Sequence, residues 1–280
     1  MDKLSSFALI VALSVAAVSC NKYVEFDNSL GIGIRSKFIV DKIYDYHNIL
    51  LAEYTYDNSN KLVKRIVADT LIEPHRTIFR KSTDEFEYKN GRVSKIINAT
   101  KVHENNGYVQ FDYKIETSFE YSAQGKLIKR NGEALNFRYE KGRVVGYSHE
   151  NDQWILSDTM VYDNSGNIIE HICIVPELTG YGQPIPGTAK RTVRYYEYDD
   201  NSKPNFGLDY LFVYNPLPYT EVPDLTRALS QNNMTTATED GYAFIYTYNE
   251  NGLPETIETK WLGIETLDPM RLRITYKQIE

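Results

Sequence analysis

An all-β chain is what this sequence predicts: a large antiparallel meander of repeated hairpins, forming a barrel-like or strongly curved sheet, with a short helical insertion. Three observations predict it. A short unit recurs seven times, its residues alternate aromatic and polar, and each copy runs into a polar turn followed by a returning aliphatic. Alternation with a period of two puts every second side chain on one sheet face. The Asn-Gly, Ser-Gly and Gln-Gly steps supply the positive φ that tight hairpin turns need.

Residues 1–19 read as a secretory signal, with Lys3 ahead of an apolar run from Phe7 to Val18. That run is shorter than the roughly 20 residues a bilayer-spanning helix requires. It ends Ala17-Val18-Ser19-Cys20, which resembles the lipobox of bacterial lipoproteins. The resemblance implies that Cys20 becomes the lipidated N-terminus of an anchored protein. The other reading is an ordinary signal peptide that happens to end beside a cysteine. Residues 20–32 form a tether, and residues 33–280 a single β-meander domain. With Cys20 lipidated, Cys173 has no partner for a disulfide and reads as a small buried hydrophobe.

The seven units are Tyr54-Thr55-Tyr56, Phe86-Glu87-Tyr88, Phe119-Glu120-Tyr121, Phe137-Arg138-Tyr139, Met160-Val161-Tyr162, Tyr196-Glu197-Tyr198 and Tyr246-Thr247-Tyr248. Lys61-Leu62, Arg92-Val93, Lys126-Leu127 and Arg143-Val144 open the returning strands. Spacings of 32, 33, 18, 23, 36 and 50 residues between the second tyrosines are too uneven for a solenoid or propeller. They suit one sheet with hairpins of differing length. Thr100–Tyr108 and Val145–Trp154 read as further hairpins. Residues 204–240 break the rhythm: Asn205–Phe212 is compact and apolar, Pro223–Leu229 can start a helix, and Ser230–Glu239 is polar. This insertion is expected to cap one end of the sheet, with strands resuming at Tyr242 and ending with Arg271–Tyr276.

Composition removes several function classes. A net charge of −7, with no basic block, argues against nucleic acid as a partner. Charged residues in the units, such as Lys64, Arg65, Lys129, Arg130 and Glu170, argue against a lipid-facing barrel. The Tyr-x-Tyr-Asp…Gly-x-Leu units resemble the YD repeats of RHS-type proteins, in shorter and looser form. Together with the lipobox and Tyr196-Glu197-Tyr198-Asp199…Lys203-Pro204-Asn205-Phe206, they resemble a family of uncharacterised lipoproteins of gut-type Gram-negative bacteria. That resemblance covers about residues 40–280. It implies a porin-like antiparallel β fold and an outer-membrane, lipid-anchored location, and it carries no active-site residues.

Catalytic signatures are sparse. His103-Glu104 and His149-Glu150 begin a zinc-protease motif, but Gly107 and Gln153 stand where its second histidine belongs. No nucleophile elbow or phosphate-gripping loop is present, and Gly31-Ile32-Gly33 lacks its strand–helix setting. Asp163–Asn167 is carboxylate-poor for calcium, and Asp199-Asp200-Asn201 reads as a solvated turn. No metal site and no cofactor are expected. The repeated tyrosines read as scaffold, whereas aromatics outside the register, Trp154, Trp261, Tyr181, Tyr214 and Tyr219, are the candidates for a binding patch. The expected function is non-catalytic binding of a glycan, another extracellular polymer or a protein partner. A hydrolase with an inward carboxylate pair and a YD-like structural or secretion shell are the alternatives.

Overall fold

The computed structural model describes residues 37–279, apart from 74, 152–153, 176, 178, 180–184, 186, 209–223, 240 and 264–268. Seventeen antiparallel strands form one sheet. In chain order they are β1 Phe38–Asp45, β2 Leu50–Tyr56, β3 Leu62–Glu73, β4 Arg76–Lys89, β5 Arg92–Glu104, β6 Val109–Tyr121, β7 Leu127–Arg130 and β8 Glu133–Ala134. There follow β9 Asn136–Glu140, β10 Arg143–Asn151, β11 Trp154–Tyr162, β12 Ile168–Val175, β13 Lys190–Ser202, β14 Asn232–Ala237, β15 Tyr242–Tyr248, β16 Pro254–Trp261 and β17 Met270–Gln278. Strands pair with their sequence neighbours, and β17 returns to β1 from Phe38↔Gln278 to Asp45↔Leu272. The result is a nearly closed barrel. Only Leu135 separates β8 from β9, and its N–H donates to the carbonyl of Ile128 at 2.8 Å, carrying the ladder across the interruption.

The turns of the repeated units gather at one end. Asp57 shows how they are built: its Oδ1 accepts from Ser59 N–H (2.8 Å) and Lys61 N–H (2.9 Å), while Asn60 adopts φ 61°. Asp163 and Asn249 cap their turns in the same way. Asn90-Gly91 and Lys141-Gly142, both with positive φ, make the two-residue turns. In most units the strand register breaks at the second aromatic, as at Tyr56, Tyr88, Tyr121 and Tyr162. Such a bulge bends the strand and re-aims the side chain.

The first residue of each unit is buried or half-buried in the barrel. Tyr54, Phe86, Phe119 and Tyr196 share one core with Phe244, Leu62, Leu127 and Ile257. A smaller core gathers Val144, Met160, Ile168 and Leu229. Ala228 and Leu229 of helix α1, Asp224–Leu229, lie in these two cores. Asn205 O accepts from Val40 N–H at 2.9 Å, Gly207 O accepts from Leu62 N–H at 3.3 Å, and Phe206 and Leu208 lie in the main core. The expected cap is therefore an internal plug. It is also shorter than the span 204–240: residues 232–237 pair with β13 and β15 as β14, where a register shift between Met234 and Thr236 lets both Met234 and Ala237 fill the core.

The outer face is charged. Lys42–Glu53, Lys64–Glu85, Lys95 between Glu87 and Glu116, Lys129–Glu120 and Glu258 between Lys260 and Arg271 form cross-strand or same-face ion pairs. Each is solvent-accessible and contributes at most about 1 kcal/mol. Against acyl chains such groups would cost roughly 2–4 kcal/mol apiece at the midplane.

Candidate functional site

The second aromatic of each unit explains how the repeats are joined. Its hydroxyl donates to the carbonyl of the first aliphatic in the preceding returning strand: Tyr88 to Leu62, Tyr121 to Val93, Tyr139 to Leu127, Tyr162 to Val144 and Tyr198 to Ile168, at 2.7–3.4 Å. Tyr56 to Val40, Tyr246 to Met234 and Tyr276 to Pro254 complete the girdle. The basic residue of the turn lies over the next ring, as with Lys61 on Tyr88 (5.2 Å), Arg92 on Tyr121 (5.7 Å), Lys126 on Tyr139 (4.9 Å) and Arg143 on Tyr162 (5.3 Å). Lys277 over Tyr56 (4.5 Å) extends the pattern across the closure. Burial pushes the hydroxyls of Tyr56, Tyr162, Tyr198 and Tyr276 well above the usual tyrosine range. These tyrosines are scaffold.

One unit departs from the sequence reading. Tyr246, expected as a first aromatic, takes the girdle position, and Tyr248 instead meets the carboxylate of Asp199. The plug feeds β14 into the sheet at a different offset, and a shift of two residues keeps the same face inward. Asp199-Asp200-Asn201 is correspondingly part of β13 and no turn. Asp199 accepts from Asn201 N–H (2.9 Å) and Asn233 N–H (3.3 Å), and desolvation raises its pKa.

Away from the turns, the inner face changes character. Arg65 on β3 pairs with Asp84 on β4 (Nε to Oδ2, 3.0 Å), and Asn98 on β5 donates to the other oxygen at 2.6 Å. Thr100 donates to Asn98 Oδ1 (3.0 Å) and meets Ser82 at 2.9 Å. Asp84 is 2% exposed, so the chain of hydrogen bonds is rooted in the core. Its outer members, Ser82, Asn98 and Thr100, floor a groove of about 540 Å³, which Arg80, Val102, Phe111 and Tyr113 complete. The register places these residues on one lattice: Thr100 lies opposite both Ser82 and Tyr113, and Val102 opposite both Arg80 and Phe111. Phe111 is 60% and Tyr113 45% exposed, although both face inward. Arg80 makes no hydrogen bond or ion pair with the described residues. A flat ring beside a guanidinium and a row of hydroxyl and amide groups can hold a ligand that is apolar on one face and hydroxylated along its edge.

A second polar cluster lies on β10–β12. Asp158 and His171 are each 6% exposed, with His171 Nε2 3.6 Å from Asp158 Oδ1. Burial, then the bond to Asp158, pushes the Tyr147 hydroxyl up. Cys173 is buried here too, as the sequence suggests. The cluster is closed to solvent.

Of the aromatics proposed from sequence, Trp261 lies opposite Tyr242 at the far end of β15–β16, with ring centroids 6.4 Å apart, away from the groove. Trp154 begins β11 opposite Asn151. Tyr181, Tyr214 and Tyr219, like Cys20, lie outside the described residues. The sequence does not single out Phe111 and Tyr113, although Phe111-Asp112-Tyr113-Lys114-Ile115 alternates cleanly and no turn follows it directly. His103 belongs to β5, where its ring stacks on Phe79 at 5.2 Å. Among the described residues no group of histidine, cysteine and carboxylate side chains is arranged to hold a metal.

No protein-family model matches the chain, and no curated protein does. Among solved structures, it is similar to the crystal structure of a porin-like protein from Bacteroides uniformis ATCC 8492, at 10% identity and a TM-score of 0.39, covering 81% of this chain and 90% of that one.

Proposed function

We propose that this protein is a non-catalytic binding barrel of the cell envelope, anchored to the outer membrane by lipid at Cys20, and that its ligand is a glycan or similar extracellular polymer held in the groove of β4–β6. The observation that carries the reading is the pair of inward yet exposed rings, Phe111 and Tyr113, above the Ser82–Asn98–Thr100 floor. At the turn end the plug and the girdle bury the rings of the inner wall, whereas Phe111 and Tyr113 stay exposed there and offer a stacking surface. The charged outer face supports a barrel held at the membrane by its tether and not by its wall.

The test is a binding screen of residues 21–280 against a polysaccharide panel, with Tyr113→Ala and Trp261→Ala alongside. Saturable binding is expected, weakened about fivefold or more by Tyr113→Ala, since stacking of a ring is worth about 1–3 kcal/mol. Trp261→Ala should leave it unchanged. Loss in Trp261→Ala alone would move the site to the far rim, and no binding at all would refute the glycan reading. The anchor is tested separately: Cys20→Ala should release the protein from membranes, and unchanged partitioning would refute it.

A further inference from the structure

We infer that two copies of this chain pair through the free edge of β6, making an antiparallel two-strand junction centred on Tyr113. β6 pairs with β5 from Ser118 to Val109, but with β7 only at Phe119, Glu120 and Tyr121. Beyond that, Ser118 N–H donates to Asn131 Oδ1 (2.8 Å) and Ser118 O accepts from Asn131 N–H (2.9 Å). There the neighbouring hairpin ends. Because alternate residues of a strand direct their backbone groups to the same side, Asp112, Lys114 and Glu116 point their N–H and C=O out of the sheet as Ser118 does, up to the register shift at Gln110. These groups have no partner among the described residues. A long edge of this kind is a template for another strand.

The sequence of the edge identifies the occupant. Placing Tyr113 opposite Tyr113 of a second copy sets Asp112 against Lys114 and Lys114 against Asp112 on the outer face. On the inner face it sets Phe111 against Ile115. The outward-directed backbone groups of Asp112 and Lys114 then meet one another, which a register shifted by one residue would not achieve. The contact is self-complementary, as a two-fold junction must be. It also extends charge pairing that stops at this edge: Asp112 faces Lys101 at 4.0 Å, whereas Lys114 lies opposite Ala99 and, among the described residues, pairs with Glu116 of its own strand. The exposed side chains of Phe111, Tyr113 and Ile115 gain apolar neighbours, and the grooves of the two copies become one continuous inner surface.

Sedimentation equilibrium of the mature chain, with Asp112→Lys and Lys114→Asp separately and mixed, tests this. The wild type should dimerise at micromolar concentration. Each variant alone sets two like-charge pairs in the junction and should weaken the dimer by about tenfold or more. Mixed, the two variants restore both opposite-charge pairs and should form a heterodimer. A monomeric wild type at high concentration, dimers insensitive to either variant, or a mixture that stays monomeric would each overturn the inference. Pairing needs no ligand, so a failed glycan screen leaves it untouched.

Discussion

The two halves of this barrel use the same residues for different ends. Near the turns, Tyr88 and Tyr121 bury much of their rings, donate their hydroxyls to backbone carbonyls and lie under a lysine or arginine. On the far stretch of the same sheet, Tyr113 and Phe111 also point inward, yet about half of each ring stays exposed. Distance from the turn decides the difference. At the turn end the plug, with Phe206 and Leu208, closes the interior, whereas the edge of β6 beyond Ser118 has no neighbouring strand. A tyrosine therefore signals scaffold or surface only in combination with its place relative to a turn and to the next strand.

The sharpest way to break the comparison is at Asp84, where the two halves meet. Its carboxylate accepts from Arg65 and Asn98 at 2% exposure. Asp84→Ala leaves the Arg65 guanidinium buried beside a cavity. The expected loss is about 3–5 kcal/mol of folding stability, the cost of an uncompensated buried charge. Urea unfolding measures it. A loss under 1 kcal/mol would mean that water already reaches Arg65 and that the turn half is not sealed.

Sealing is also tested by Lys203, which donates to the carbonyls of Arg227 (2.8 Å) and Ala228 (3.1 Å) at the end of α1. Burial, reinforced by the Arg227 charge, lowers its pKa from 10.5 to about 7. In the unfolded chain the lysine keeps its proton up to about pH 10. Between these values the unfolded state holds more protons, so stability rises with pH from about 7. The buried tyrosines act oppositely only above about pH 10, where the unfolded chain ionises its phenols first. The urea midpoint should therefore increase between pH 7 and 9.5, and Lys203→Met should abolish the increase. A wild-type midpoint independent of pH would show a solvated lysine and a leaky plug.

Much of this architecture is legible in the sequence, because its signals are local. Alternation fixes Phe86 and Tyr88 on one face, and Asn90-Gly91 fixes the turn after them. What is not legible depends on contacts distant in sequence. Nothing local reveals that Tyr88 seeks the carbonyl of Leu62, or that Ser230 leads into a strand and not a longer loop. Tyr276 joins the girdle without a following turn to announce it. The groove was hidden for a similar reason. Phe111 and Tyr113 look like any half-buried strand, and only the short reach of β7 leaves them uncovered. Trp154 and Trp261 stand outside the repeat, and that place alone does not say which wall is open.

The smallest effect separates the two kinds of tyrosine most directly. Tyr88→Phe keeps the ring under Lys61 and removes only the hydroxyl that serves Leu62 O at 2.8 Å. The net loss should be about 1 kcal/mol, the ordinary contribution of one intramolecular hydrogen bond, or somewhat more because the Leu62 carbonyl is left without its donor. Tyr113→Phe removes a hydroxyl for which the described residues offer no partner, so its stability should stay within about 0.5 kcal/mol of wild type. Paired urea titrations decide it. Equal losses would mean that Tyr113 is held as firmly as the girdle, and the groove would then be a packed wall. A loss at Tyr88 alone means that one residue type holds the barrel shut at its turns and leaves it open where the ladder of strands stops.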